Sequence, residues 1–266
     1  MPCARSCLLV LTCLGLSACT SSSSGAVDAG RFDDGAVVPV QTRPERYVRG
    51  DVSTRLVIEL DAVPGMEPRA AASSQLTTRL SALLDKPAGV VVTASDVLSS
   101  MGSDHAWTQD ELSALAEASF DDDATPGTVA MHVMWIDGHS AADTASGTVL
   151  GVSWGNLHTV MFHESIERIC GGAPLLGESG CAETQYGVWL HEVGHVLGLV
   201  DTGIAPTSAH ADTAHPGHDT SMDCIMYWQY EGSAGASLLM NAILGGGHAP
   251  DLDAACLADI AAVRNR

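Results

Sequence analysis

Two histidines stand four residues apart, at His191 and His195, and Glu192 directly follows the first. On a helix that spacing places both imidazoles on one face, a turn apart. Two nitrogens can then each lie about 2.0–2.1 Å from one zinc ion. Glu192 projects to one side, where it can reach a water held by the metal without binding the metal. Zinc lowers the pKa of such a water to about 7, and a neighbouring carboxylate can take its proton as the oxygen attacks a carbonyl, then pass it to a leaving amine. The residues point to metal-assisted hydrolysis with Glu192 as general base.

A catalytic zinc is commonly held by three protein ligands and keeps one position open. The candidates for the third are Asp201, six residues after His195, and the histidines of the polar stretch 201–221, His210, His215 and His218. Asp201-Thr202-Gly203 also reads as an ordinary turn. His105, His132, His139, His158 and His163 lack ligand spacing and read as surface or satisfied histidines. Glu164 and Glu183 read as solvated.

Residues 191–198, HEVGHVLG, resemble the metzincin signature HExxHxxG, in which the glycine turns the chain toward a third ligand. Cys224-Ile225-Met226-Tyr227 looks like a metzincin Met-turn. His218, eight residues before Met226 and six before Cys224, matches the archaemetzincin spacing of the third histidine. The resemblance implies a zinc endopeptidase with one catalytic Zn2+ held by His191, His195 and His218. Met226 would pack beneath them, and the substrate would be a peptide or protein. Asp201 stays the alternative third ligand, because snapalysin-like enzymes use an aspartate there. Asp219 replaces the first cysteine of the archaemetzincin pattern and no later CxxC follows, so a second, all-cysteine metal site is not expected. Tyr227 follows Met226 immediately and reads as a core or rim residue rather than an oxyanion donor.

The elements must bring these residues together. Arg55–Leu60, Val90–Thr93, Thr128–Ile136, Thr148–Trp154 and Thr159–His163 read as strands, bounded by turn residues. Ala71–Leu84, Thr108 to about Phe120 with a Thr108/Glu111 capping box, Thr184–Leu197 and Asp251–Val263 read as helices. A Gly-rich loop with two cysteines precedes the HEVGH helix. The fold class is α+β (mixed α/β). The resemblance implies a metzincin-like zincin domain with a small twisted, mostly parallel sheet, an antiparallel edge strand and the HExxH helix. It also implies that Thr148–Trp154 is that edge, taking an extended peptide, with Gly151 and Gly155 leaving room for the substrate backbone.

Residues 1–18 combine Arg5 with an apolar run too short to span a bilayer, and Leu16-Ser17-Ala18-Cys19 looks like a bacterial lipobox. The expectation is a signal segment over 1–18, lipidation at Cys19, a flexible tether over 19–53 and a zinc metallopeptidase domain over 54–266. The protein would then be exported and anchored to a bacterial membrane through Cys19 only, facing the periplasm or the cell surface, as a monomer. Four cysteines lie beyond the lipid site. An exported chain suggests two disulfides, of which Cys170–Cys181 with Cys224–Cys256 is the simplest of three pairings. The net charge is −20, which disfavours nucleic acid and anionic lipid as partners. A competing reading is a surface lipoprotein that binds zinc structurally and keeps a vestigial peptidase site. Glu192 argues against it, since a structural site has no use for a general base. Structural zinc sites are also usually closed by four protein ligands, and only three are easily named.

Overall fold

The computed structural model describes residues 43–121, 125–145, 147–171 and 177–266. The expected signal segment, Cys19 and most of the expected tether lie outside the described residues. Among the described residues the first element is α1 (Pro44–Val48), ten residues ahead of the expected Thr54. The reason is Tyr47, fully buried, whose hydroxyl donates to Ala130 O at 3.2 Å and Asn156 O at 2.7 Å.

Two strands rich in branched apolar residues form the middle of the sheet. β1 (Arg55–Ala62) pairs in parallel with β2 (Val90–Val97), reached through α2 (Ala70–Leu83). On its other side β1 pairs in parallel with β4 (Thr128–Ile136), which is buried along nearly its whole length. Runs of this kind suit a sheet covered on both faces. Between them, β3 (Ala106–Trp107) leads into α3 (Gln109–Ser119). The predicted capping box is present: Thr108 Oγ1 accepts from Glu111 N, and Glu111 accepts from Thr108 N at 2.8 Å. β5 (His139–Ser140) pairs with β3 in a separate two-stranded sheet. β6 (Gly151–Trp154) is the antiparallel edge, joined to β7 (His158–Phe162), and β7 is parallel to β4. The order is β2-β1-β4-β7-β6.

β4 shows how the two faces divide. Val129, Met131, Val133 and Trp135 enter the core beneath the helices, while Met134 and Ile136 enter a second core with Leu112 and Ala116 of α3. The strand's period of two makes this split. Two helices meet over the main core, α4 (His163–Gly171) and α5 (Gly177–Leu197), tied by the Cys170–Cys181 disulfide. α4 stands where a loop was expected. Its Ile166 and Cys170, four apart, form a short buried stripe. α5 starts seven residues before the expected Thr184. After Gly180 nearly every residue of α5 is buried, because the sheet, α2, α4 and α6 (Ser233–Gly246) surround it. α6 was not expected either; it buries Ala236, Leu239 and Ile243 at helical spacing. α7 (Ala254–Arg264), capped by Asp253, closes the chain against α1. No helix of the described residues is long and apolar enough to cross a membrane.

Candidate metal centre

α5 carries the site because it is immobilised from all sides. Trp189, fully buried, packs edge-on against Trp135 at 5.6 Å and 77°, a contact worth about 0.5–1.5 kcal/mol beyond its area. Gly194, inside the HEVGH motif, faces the Met-turn. A Cβ there would lie 2.2 Å from Met226 Sδ, so a side chain at 194 would expel the methionine. Met226 is completely buried against the helix. The helix stops at Gly198, φ +89°, and the chain turns back. Asn156, in the β6–β7 turn, donates to His195 O at 3.1 Å and Thr202 O at 3.3 Å, so it holds the helix end and the following turn together.

The structure brings His191, His195 and His218 together with Glu231, their potential ligand atoms all within 4.8 Å of one another. His191 Nε2 and His195 Nε2 are 3.2 Å apart, and each is 3.2 Å from Glu231 Oε1. Glu231 Oε1 also contacts His218 Nε2 closely. All four are buried. Asp201, the alternative third ligand, is not among them. It lies exposed in the turn after α5 with φ +68°, held away from the histidines by that left-handed backbone.

The donor chemistry fits a cation. His191 Nδ1 donates to Ile225 O at 2.6 Å, so the neutral ring presents a lone pair from Nε2. That lone pair faces a carboxylate oxygen and a second imidazole nitrogen. Burial pushes His195 down to about 4, against the pull of its hydrogen bond with Glu231, and His191 and His218 add to the lowering. His195 Nδ1 has no hydrogen-bond partner among the described residues. Burial raises Glu231, but the three histidines outweigh it and hold this carboxyl well below the ordinary range. Three imidazoles and a carboxylate converging in one buried space are a donor set that suits a divalent cation.

Glu192 lies beside this group, fully buried. Ser153 Oγ donates to its Oε2 at 2.8 Å, while Oε1 has no partner among the described residues. Burial above all, with the Glu231 carboxylate adding, pushes Glu192 up to about 7, against the pull of His191 and Ser153. Gly151 was expected to leave room for substrate. It instead accommodates Glu192, whose Cγ would be 2.8 Å from a Cβ at 151. Gly155 has open space around it and φ +63°, the demand of a tight turn.

The other candidates have structural surroundings. His210 Nδ1 bonds Asp219 Oδ2 at 2.6 Å and its Nε2 bonds Asp259 Oδ2 at 2.8 Å. His215 stacks on Trp228 at 4.1 Å, and Tyr227 is half-buried beside the same tryptophan. His132 is buried against Asp61 at 2.9 Å, and His158 contacts it. His105, His139 and His163 make local contacts with Glu111, Asp143 and Trp135. Glu164 accepts from Gly138 N. Glu183, expected in solvent, is buried and accepts from Gln75 Nε2 at 2.7 Å and Ala249 N at 3.0 Å. The second expected disulfide is not formed. Cys224 and Cys256 are buried thiols 3.7 Å apart, far beyond a bonded 2.05 Å, and Cys256 bonds Asp219 Oδ2 at 3.6 Å. With Asp253 these residues make a second group of possible donors, of mixed carboxylate and thiol type.

Sequence reasoning missed Glu231, Ser153 and Asn156. None has ligand or cap spacing to the motif. The one sequence signal for Glu231 is a single carboxylate in the short run Trp228–Glu231 that follows the Met-turn.

A mostly parallel sheet with one antiparallel edge and a buried helix packed on it defines a mixed α/β fold. The crystal structure of archaemetzincin from Methanopyrus kandleri superposes with a TM-score of 0.50 at 15% identity, covering 86% of this chain and 100% of the other. No family model and no curated protein matches the sequence.

Proposed function

We propose that this chain is a zinc-dependent endopeptidase in which His191, His195 and His218 hold the metal and Glu192 is the general base. The carrying observation is the buried Glu192 carboxylate beside three converging imidazoles, with one oxygen bonded to Ser153 and the other free of partners among the described residues. The likeness of fold and the HEVGHVLG motif support the same reading. Bound zinc would supply Lewis acidity, polarising a substrate carbonyl and acidifying water. The chain's own residues do the rest. The Ile225 carbonyl fixes the His191 tautomer and ring plane, as outer partners of metal ligands commonly do. Ser153 orients Glu192 so that Oε1 is left to accept a proton from the attacking water and return it to the leaving amine. β6, at the sheet edge, offers backbone groups to an extended peptide.

Export with a lipid anchor at Cys19, and a monomeric state, belong to the same proposal; they rest on the lipobox-like segment, and Cys19→Ser should abolish lipid labelling. Labelling that persists in this variant removes the anchor. The function itself is tested by casein hydrolysis with chelator, then with zinc restored. Chelator-resistant or absent hydrolysis by zinc-loaded protein overturns it. One observation favours the second reading, a structural zinc site with vestigial machinery: Glu231 provides a fourth protein donor. Stoichiometric zinc without any hydrolysis would establish that reading.

A further inference from the structure

We propose that Glu231 is the fourth protein donor of the zinc centre and keeps it closed in the resting protein, so that hydrolysis requires this carboxylate to leave. The inference rests on the reading of His191, His195 and His218 as zinc ligands. Donors about 2.0–2.1 Å from one tetrahedral zinc stand about 3.3 Å apart. Three separations here are 3.2 Å: His191 Nε2 to His195 Nε2, and Glu231 Oε1 to each of them. The same oxygen also meets His218 Nε2, closer than two ligands of one zinc stand, so that pair must separate to admit the ion. With that one separation widened, Glu231 stands at the vertex that a catalytic zinc leaves to water.

One further feature points to a closed resting state. The centre is sealed: His195, the most exposed of its three histidines, is only 6% accessible. Closure by a carboxylate would in turn lower the charge of the centre from +2 to +1 and weaken its hold on a polarised carbonyl.

The backbone suggests how the centre opens. Glu231 O accepts from Leu150 N at 2.9 Å, and Gly232 bridges Val149. The donor is thus carried by the segment that pairs with the entry to edge strand β6. A peptide adding to β6 at this end competes for Val149 and Leu150, and displacing their present partner moves Glu231 away from the histidines. Substrate docking and metal opening become one event.

The test uses Co(II)-loaded protein and acetohydroxamate, which needs open coordination positions, together with zinc-competition titrations. The wild type should keep its visible spectrum at hydroxamate concentrations that shift that of Glu231→Ala, with at least about tenfold tighter apparent binding by the variant. The zinc dissociation constant should rise about tenfold or more in Glu231→Ala, with Glu231→Gln between. Glu231→Gln keeps the volume and carries the same comparison if the alanine variant does not fold. Wild-type protein that binds metal but responds to hydroxamate as the variants do, or zinc affinities within about twofold, overturns the role of Glu231 alone. Wild-type protein that binds neither zinc nor cobalt overturns the ligand reading and this inference with it.

Discussion

One peptide bond separates two buried clusters of opposite character. His218 faces His191, His195 and Glu231, where acceptors converge. Asp219 faces Cys224, Asp253, Cys256 and His210, where donors answer the acceptors. In the second cluster Asp219 Oδ1 accepts from Ser221 N at 2.7 Å and its Oδ2 bonds His210. Asp253 Oδ1 accepts from Ala255 N and Cys256 N at 2.9 Å each, because it caps α7. His210 is bonded to a carboxylate at both ring nitrogens, which is the hydrogen-bonding pattern of an imidazolium. Burial opposes that charge, but Asp219 and Asp259 outweigh it and raise the histidine above its ordinary value. Two adjoining clusters that each set histidine against carboxylate thus differ in whether hydrogen bonds from the protein already satisfy them. Only the first asks for an added cation.

The sharpest way to break this contrast is to remove one histidine from each cluster. His218→Ala should empty the zinc site, whereas Asp201→Ala should retain stoichiometric zinc, both read by metal analysis after dialysis. Zinc lost only from the aspartate variant would move the third ligand to Asp201. His210→Ala should keep zinc affinity within a few-fold and instead cost stability, up to about 3 kcal/mol, because it removes one partner from each of two buried carboxylates that keep other donors. A thermal melt alongside a zinc titration separates the two effects. A variant of normal stability with weakened zinc would merge the clusters into one site.

The same histidine sets a pH dependence. Its protonation is favoured in the folded state, so its contribution is fully present below its unfolded pKa of about 6.5 and is lost as pH rises through the higher folded value. The difference in melting temperature between wild type and His210→Ala should therefore shrink as pH rises above about 6.5. A difference that grows with pH contradicts the ion-pair account. The smallest effect concerns the thiols. A form beginning at residue 43, unfolded without reductant, should show two reactive thiols, Cys224 and Cys256, by a colorimetric count. A count of zero means that the pair closes into a disulfide.

Much of the helical half of the site was legible from local pattern. HEVGH lies on an apolar helix, Thr108 and Glu111 announce α3, and the strand of residues 128–136 forms over that span. The loop half was legible only through the spacing of His218 to the Met-turn. Glu231 was not, because it reaches the centre by chain reversal, 36 residues from His195 and 13 from His218. His210–Asp259 spans 49 residues for the same reason. α4 and α6 were missed because short or glycine-containing segments show too few turns of periodicity to separate a helix from a loop. Glu183 was read as solvated because it stood just ahead of the expected helix start at Thr184, whereas α5 begins at Gly177 and is already covered at Glu183.

The central claim is that the imidazoles hold the metal while Glu192 moves the proton, and Glu192→Gln divides those roles in one protein. Zinc content and casein hydrolysis should be measured on the same preparation. The account predicts near-stoichiometric zinc with hydrolysis reduced by about 10²–10⁴-fold, since the ligands are untouched and the base is gone. Hydrolysis within a few-fold of the wild type, with zinc retained, would contradict it.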